Sequence, residues 1–118
     1  MKNEDKKLLF KDLSARLPYG VKIEGYKLPC IILDSDWLHF MYTHQEFAIR
    51  RPYLRPMSSM TEEEKEEYRG TLIALPDEEY LISTMRTIDW LNAHHFDYRG
   101  LIEKGLAIEV TKDNNPYE

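Results

Sequence analysis

A chain of 118 residues, 42% hydrophobic and 12% aromatic, is long enough for one buried core and too apolar for a disordered tail. With a single cysteine it can form no internal disulfide and no cysteine-based zinc site within one chain, which fits a reducing compartment. Its net charge of −5 argues against nucleic-acid binding through bulk charge, yet that charge is split. Ten Lys and Arg stand against seven Asp and Glu through Met57, and six against fourteen from Ser58 onward, so a local basic patch on the first half stays open.

The N-terminus, MKNEDKKLLF, is charged, and its apolar run is far too short for a signal sequence or a membrane span. A cytoplasmic protein is expected. Residues 4 to 17 place Leu9, Phe10, Leu13 and Leu17 at helical spacing, a short amphipathic helix ended by Pro18 and Gly20. Val21 and Ile23 alternate with Lys22 and Glu24 as a half-buried strand, and Gly25 marks a turn. Cys30 to Leu33 reads as a second strand in which Cys30 is a small buried thiol, since nothing electropositive surrounds it to make it reactive. Asp34, Ser35 and Asp36 read as a turn, and aromatic content makes Trp37 to Tyr42 a third strand. After a turn at Thr43 to Gln45, Glu46 to Arg50 reads as a fourth strand. The expected class is α+β, with a small antiparallel β meander, closing at its tightest into an SH3-like barrel, behind the N-terminal helix.

The stretch from Arg50 to Glu64, RRPYLRPMSSMTEEE, is a seam. Pro52 and Pro56 fix φ, remove two N–H donors and push Arg51 and Arg55 toward extended backbone. Arg51, Tyr53 and Arg55 could present guanidinium groups and an aromatic face together, a binding surface for carboxylate, phosphate or a stacked base. The plainer alternative packs Tyr53 and Leu54 on the domain while the arginines pair with acids of the following helix. That helix opens with Thr61 and Glu64 spaced as a capping box, has Glu62 to Glu64 in its first turn, carries Tyr68 in water and stops at Gly70.

Thr71 to Leu75 is an apolar bridge, and Pro76 with Asp77, Glu78 and Glu79 opens another helix. Leu81, Met85, Ile88 and Leu91 form its apolar stripe with Trp90 at the margin, which makes Met85 core filling. Asp97 is placed to cap a last short helix, Tyr98 to Lys104, that Gly105 ends. Leu106, Ile108 and Val110 then alternate as a strand returning to the N-terminal sheet, giving one α+β domain over 1–110 and a flexible C-terminal tail over 111–118.

The blocks RPYLRPMSSMTEEE and DWLNAHHFDYRGLIEKGLAIEV, with KDLSARLPYGVKI near the N-terminus, resemble small uncharacterised proteins of gut anaerobic bacteria and their phages and prophages. The likeness covers most of the chain and is weakest from about Glu24 to Ala48. It implies a mobile-element or host-accessory setting and carries over no activity, cofactor or site residue.

His94, His95 and Asp97 stand together, with Asp89 one to two turns earlier, and such residues can bind a divalent metal. Adjacent histidines on a helix point about 100° apart, however, and HHxD is no recognised ligand spacing, so a helix end with Asp97 as a cap is the alternative. No Gly-rich phosphate loop or nucleophile elbow is present. Two functions follow as expectations. The first is a non-enzymatic binding or adaptor protein without cofactor, using Arg51, Tyr53 and Arg55 toward a protein or nucleic-acid partner or a second copy of itself. The second is a small metal-dependent or acid/base enzyme built on His94, His95 and Asp97.

Overall fold

Helix α1 (Asn3–Arg16) opens the computed structural model, which describes residues 1–73, 76 and 80–118, Tyr80 by its backbone alone. Glu4 and Asp5 in its first turn and Arg16 in its last suit the helix dipole. Its inner face buries Leu9 and Leu13 completely, and with them Asp12 and Arg16. A 3-10 turn, Leu17–Tyr19, carries Pro18 and ends at Gly20 with φ 71°.

Strand β1 (Lys22–Glu24) pairs antiparallel with β2 (Cys30–Ile32), Ile23 opposite Ile31. The loop between them is tight: a Cβ on Gly25 would stand 2.1 Å from the Leu28 carbonyl oxygen. Cys30 is half-buried rather than enclosed.

The two further strands expected at Trp37 to Tyr42 and Glu46 to Arg50 are helices, α2 (Ser35–Thr43) and α3 (Gln45–Ala48). The Asp34 carboxylate accepts from the Trp37 N–H at 2.7 Å, so the acidic turn is a helix cap. Met41 is buried with Trp37 and Leu38 packed beside it, a helical spacing that outweighs the strand preference of the aromatic residues. Without those strands no meander forms and the SH3-like barrel is ruled out: the described strands make two sheets of two. The second sheet pairs β3 (Tyr53–Leu54) in parallel with β4 (Ile108–Glu109), and a bridge from Ile23 to Pro52 joins it to the first. The α+β class stands, with the C-terminal strand returning onto the seam.

The core lies among these pieces: Leu9, Leu13, Val21, Ile23, Leu33, Met41, Leu54, Leu101, Leu106 and Ala107. Beside it runs a charged node. The Arg16 Nε donates to Asp12 Oδ2 at 2.7 Å, Arg16 Nη2 to the Phe96 carbonyl at 2.7 Å, and Arg99 Nη1 to Asp12 Oδ1 at 2.9 Å. Burial of this node ties α1 to the segment from Phe96 to Arg99, because neither guanidinium nor carboxylate tolerates a dry site unpaired.

Helix α4 (Glu62–Leu72) starts with the expected capping box: Glu64 N–H donates to Thr61 Oγ1 at 3.1 Å and Thr61 N–H to Glu64 Oε1 at 2.9 Å. It runs past Gly70, and Tyr68 is half-buried against Trp90, ring centroids 5.8 Å apart. Helix α5 (Tyr80–Ala93) follows. The helix start expected at Asp77, Glu78 and Glu79, like Ala74 and Leu75 of the bridge, lies outside the described residues.

The face of α5 turned to the protein is the polar one: the Ser83 and Thr87 hydroxyls donate to the Thr71 carbonyl at 3.2 and 3.1 Å. Leu81, Met85 and Ile88 point outward, so Met85 is not core, and of the stripe Leu91 alone is buried. The helix expected over Tyr98 to Lys104 does not form, so Asp97 caps none; Gly100 takes φ 74°, turns follow, and the Asp97 carboxylate accepts from the Leu101 and Ile102 N–H groups within them. Among the described residues no helix is long and apolar enough to cross a membrane.

Residues 111–118, expected as a flexible tail, fold back in the structure. The Tyr117 hydroxyl donates to the Tyr53 carbonyl at 2.7 Å and accepts from the Lys22 N–H at 2.9 Å, while its ring stacks on His95 with centroids 3.8 Å apart. Burial pushes that phenol up to about 12.

Candidate functional site

The seam is extended as its prolines require, and its cations are engaged within the chain. Arg55 sends Nη1 and Nη2 to the two oxygens of Glu64, each at 2.7 Å, and its guanidinium lies 4.2 Å over the Phe96 ring. The fork holds the Glu64 carboxyl down at about 2. Arg51 Nε donates to Glu24 Oε1 at 2.7 Å, and the Arg51 backbone N–H donates to the same oxygen at 3.0 Å. The Tyr53 hydroxyl donates to the Pro29 carbonyl at 3.2 Å. Burial raises its ionisation above the usual phenol value. Arg51, Tyr53 and Arg55 thus serve their own fold first. Arg51 keeps an open edge, its side chain 44% exposed, whereas Arg55 is at 22% with both terminal nitrogens bonded.

His94, His95 and Asp97 do not converge. His94 stacks on Trp90 with centroids 4.2 Å apart, its Nδ1 donates to the Trp90 carbonyl at 2.9 Å, and its Nε2 lies 3.9 Å from Glu67. His95 takes a left-handed φ of 62°, turning its ring away onto Tyr117, and its buried Nδ1 has no hydrogen-bond partner among the described residues. Burial, with the cations Arg16, Arg55 and Lys22 nearby, lowers the His95 imidazole to about 4. Both Asp97 oxygens are occupied, by the Leu101 and Ile102 N–H groups at 2.9 Å each. Asp89 accepts from the Tyr19 hydroxyl at 3.0 Å. Among the described residues no three His, Cys, Asp or Glu side chains come close enough to hold a metal ion.

What the sequence reading missed is a groove between α1 and α2. Asn3, Lys6, Lys7, Phe10, Lys11 and Ser14 recur every three or four residues along one edge of α1, and Ser35, Leu38, His39 and Tyr42 do so along α2. Phe10 meets Tyr42 edge to face at 5.5 Å. They separate two lobes, one of about 460 Å³ between Lys11, Ser14, Ser35, Leu38 and His39, the other of about 400 Å³ between Asn3, Lys6, Lys7 and Gln45. Three lysines and no carboxylate line it, over an aromatic and aliphatic floor. Tyr42, Phe40 and Phe47 continue the exposed aromatic surface along α2 and α3. The lysine spacing on α1 was visible beforehand, but reading Trp37 to Tyr42 as a strand removed the wall that makes it a groove.

Comparison of the chain with protein-family models, with curated proteins and with solved structures finds no match. Any functional reading therefore rests on this geometry.

Proposed function

We propose that the protein is a non-enzymatic binding or adaptor protein that takes up a carboxylate-bearing, partly apolar segment of a partner protein in the groove between α1 and α2. The observation that carries this reading is the lining itself: Lys6, Lys7 and Lys11 beside Phe10, Leu38 and Tyr42, without an acid among them. Lysine side chains lay their methylene stems on such a floor and hold the ammonium in water, where a glutamate or aspartate of the partner meets it. The groove departs from the seam expected at Arg51, Tyr53 and Arg55, whose guanidinium groups are held by Glu24 and Glu64.

A protein segment suits the site better than nucleic acid. Phosphate tracking needs a continuous cationic path, and here Glu4 and Asp5 lie on α1, Asp36 on α2 and Glu46 on α3, in a chain of net charge −5. The mobile-element or phage setting rests on the resemblance of the RPYLRPMSSMTEEE and DWLNAHHFDYRGLIEKGLAIEV blocks.

The test is a nitrogen-15 NMR titration with a synthetic peptide alternating Glu with Leu and Trp, and separately with oligo-dT. The expected outcome is peptide-induced shifts on α1 and α2 that fade with added salt and vanish in the Lys7→Glu, Lys11→Glu double variant. Shifts centred on Arg51 to Arg55, or tighter binding of oligo-dT, defeat the reading.

A further inference from the structure

Helix α5 is amphipathic with its sides reversed. Ser83 and Thr87 face the protein, bonded to the Thr71 carbonyl, while Leu81 (63% exposed), Ile82 (50%), Met85 (55%) and Ile88 (38%) face away. Leu72 and Ile73, at 54% and 64%, extend the apolar surface at the end of α4, and the Arg86 guanidinium bonded to the Ile73 carbonyl at 2.9 Å fixes that end beside α5. No described residue covers this face. We propose that a second copy of the chain covers it, the two α5 helices packing antiparallel about a two-fold axis near Met85.

Three observations select this occupant. The first is area. Six aliphatic side chains exposed to this degree present on the order of 400 Å² of apolar surface. At the roughly 65% apolar content of homodimer interfaces, that corresponds to about 600 Å² per copy and 1,200 Å² in all, the lower bound of a stable interface. The second is self-complementarity. Leu81, Met85 and Ile88 follow the four-then-three spacing of a helix-pair seam, and an antiparallel mate sets Ile82 of one copy against Ile88 of the other with Met85 meeting its equivalent.

The third is shape. The radius of gyration is 15.2 Å, against ~13.5 Å for a compact domain of this length, and the molecule measures 49 × 31 × 23 Å. Such an elongated protomer, with one apolar helical layer facing outward, fits half of a two-layer unit. A lipid surface suits the face poorly, because α4, which ends in Leu72, carries Glu62, Glu63, Glu66 and Glu67, which anionic headgroups repel.

This inference does not depend on the groove, and salt separates the two. Two copies of charge −5 repel, so added salt leaves their apolar association intact or strengthens it, while it weakens peptide capture by lysines. The test is sedimentation equilibrium of the full chain across micromolar concentrations, beside Met85→Glu and Ile88→Glu. Wild type should sediment at twice the chain mass, and each variant should raise the dimer dissociation constant about 100-fold or more with an unchanged circular-dichroism spectrum, since neither side chain belongs to the monomer core. Met85→Cys in a Cys30→Ser background should oxidise rapidly to a covalent dimer, and Lys7→Cys in that background should not. A monomeric wild type up to ~100 µM overturns the proposal, whatever else the face binds. So does a dimer that survives Met85→Glu and forms no crosslink between the two copies through position 85.

Discussion

Replacing Asp12 by alanine should be among the most damaging single changes in this protein. Asp12 and Arg16 are both fully buried, and the carboxylate accepts Arg16 at 2.7 Å and Arg99 at 2.9 Å. Removing it leaves the Arg16 guanidinium with the Phe96 carbonyl and the Tyr98 ring, 5.0 Å away, as remaining partners. Stranding a buried charge in this way costs about 3–5 kcal/mol, a large part of the roughly 5–15 kcal/mol that holds a domain together. At about 4 °C per kcal/mol for a chain of this size, the melting temperature should drop by roughly 12–20 °C. Thermal and urea melts followed by circular dichroism read the loss directly. The double variant Asp12→Ala, Arg16→Met should recover much of it, because the uncompensated charge goes with the arginine. Arg99→Ala, removing the more solvent-exposed partner, should cost about 1 kcal/mol. If Asp12→Ala costs under ~1 kcal/mol, water reaches the pair and the account of the node is wrong.

Two pH windows and one loop supply further tests. His95 ionises near 4 in the fold against 6.5 unfolded, so the unfolded chain takes up the proton first and stability falls as pH drops from 6.5 to 4. His95→Asn, which tolerates the left-handed backbone, should remove most of that pH dependence between 6.5 and 4 in urea melts. Glu64 sits near 2 against an ordinary 4.5, so its contribution is present above 4.5 and is lost as pH falls toward 2. Glu64→Gln should flatten that lower limb and destabilise the protein by about 1 kcal/mol at neutral pH, the pair being screened by solvent; an unchanged acid limb contradicts the Arg55 fork. Gly25→Ala should cost about 1–3 kcal/mol in the same melts, since its methyl would overlap the Leu28 carbonyl and the loop must move.

Local signals survived contact with the structure where a single hydrogen bond decides the outcome. The Thr61 capping box and the extended backbone at Tyr53–Leu54 each depend on a few neighbouring atoms, and both are present. Readings that required knowing which side of an element faces the core fared worse. Trp37 to Tyr42 has the composition of a strand, and Asp34 overrides it by capping a helix whose Met41 reaches the core. Leu81, Met85 and Ile88 mark a helix correctly but its buried face wrongly, because the side turned inward is set by Ser83 and Thr87 meeting the Thr71 carbonyl. Asp12 and Arg16, four apart on α1, carry no local signal of burial, because Arg99, which completes their node, lies far along the chain.

The candidate site follows the same division. The plainer alternative, arginines paired with acids of the following helix, holds for Arg55, which takes Glu64 of the helix cap, while Arg51 takes Glu24 instead. One carboxylate does both jobs, Oε1 taking the Thr61 N–H and an Arg55 nitrogen while Oε2 takes the other. A double mutant of Thr61→Ala and Glu64→Gln should therefore cost less than the two single losses added together, because the Thr61 hydroxyl that accepts the Glu64 N–H also steadies the carboxylate for Arg55, and that fork is lost only once. Additive losses in urea melts would show that cap and fork act independently. In that event Arg55 would not rely on the capped helix to hold its partner, and the seam would recover its claim to bind something outside the chain.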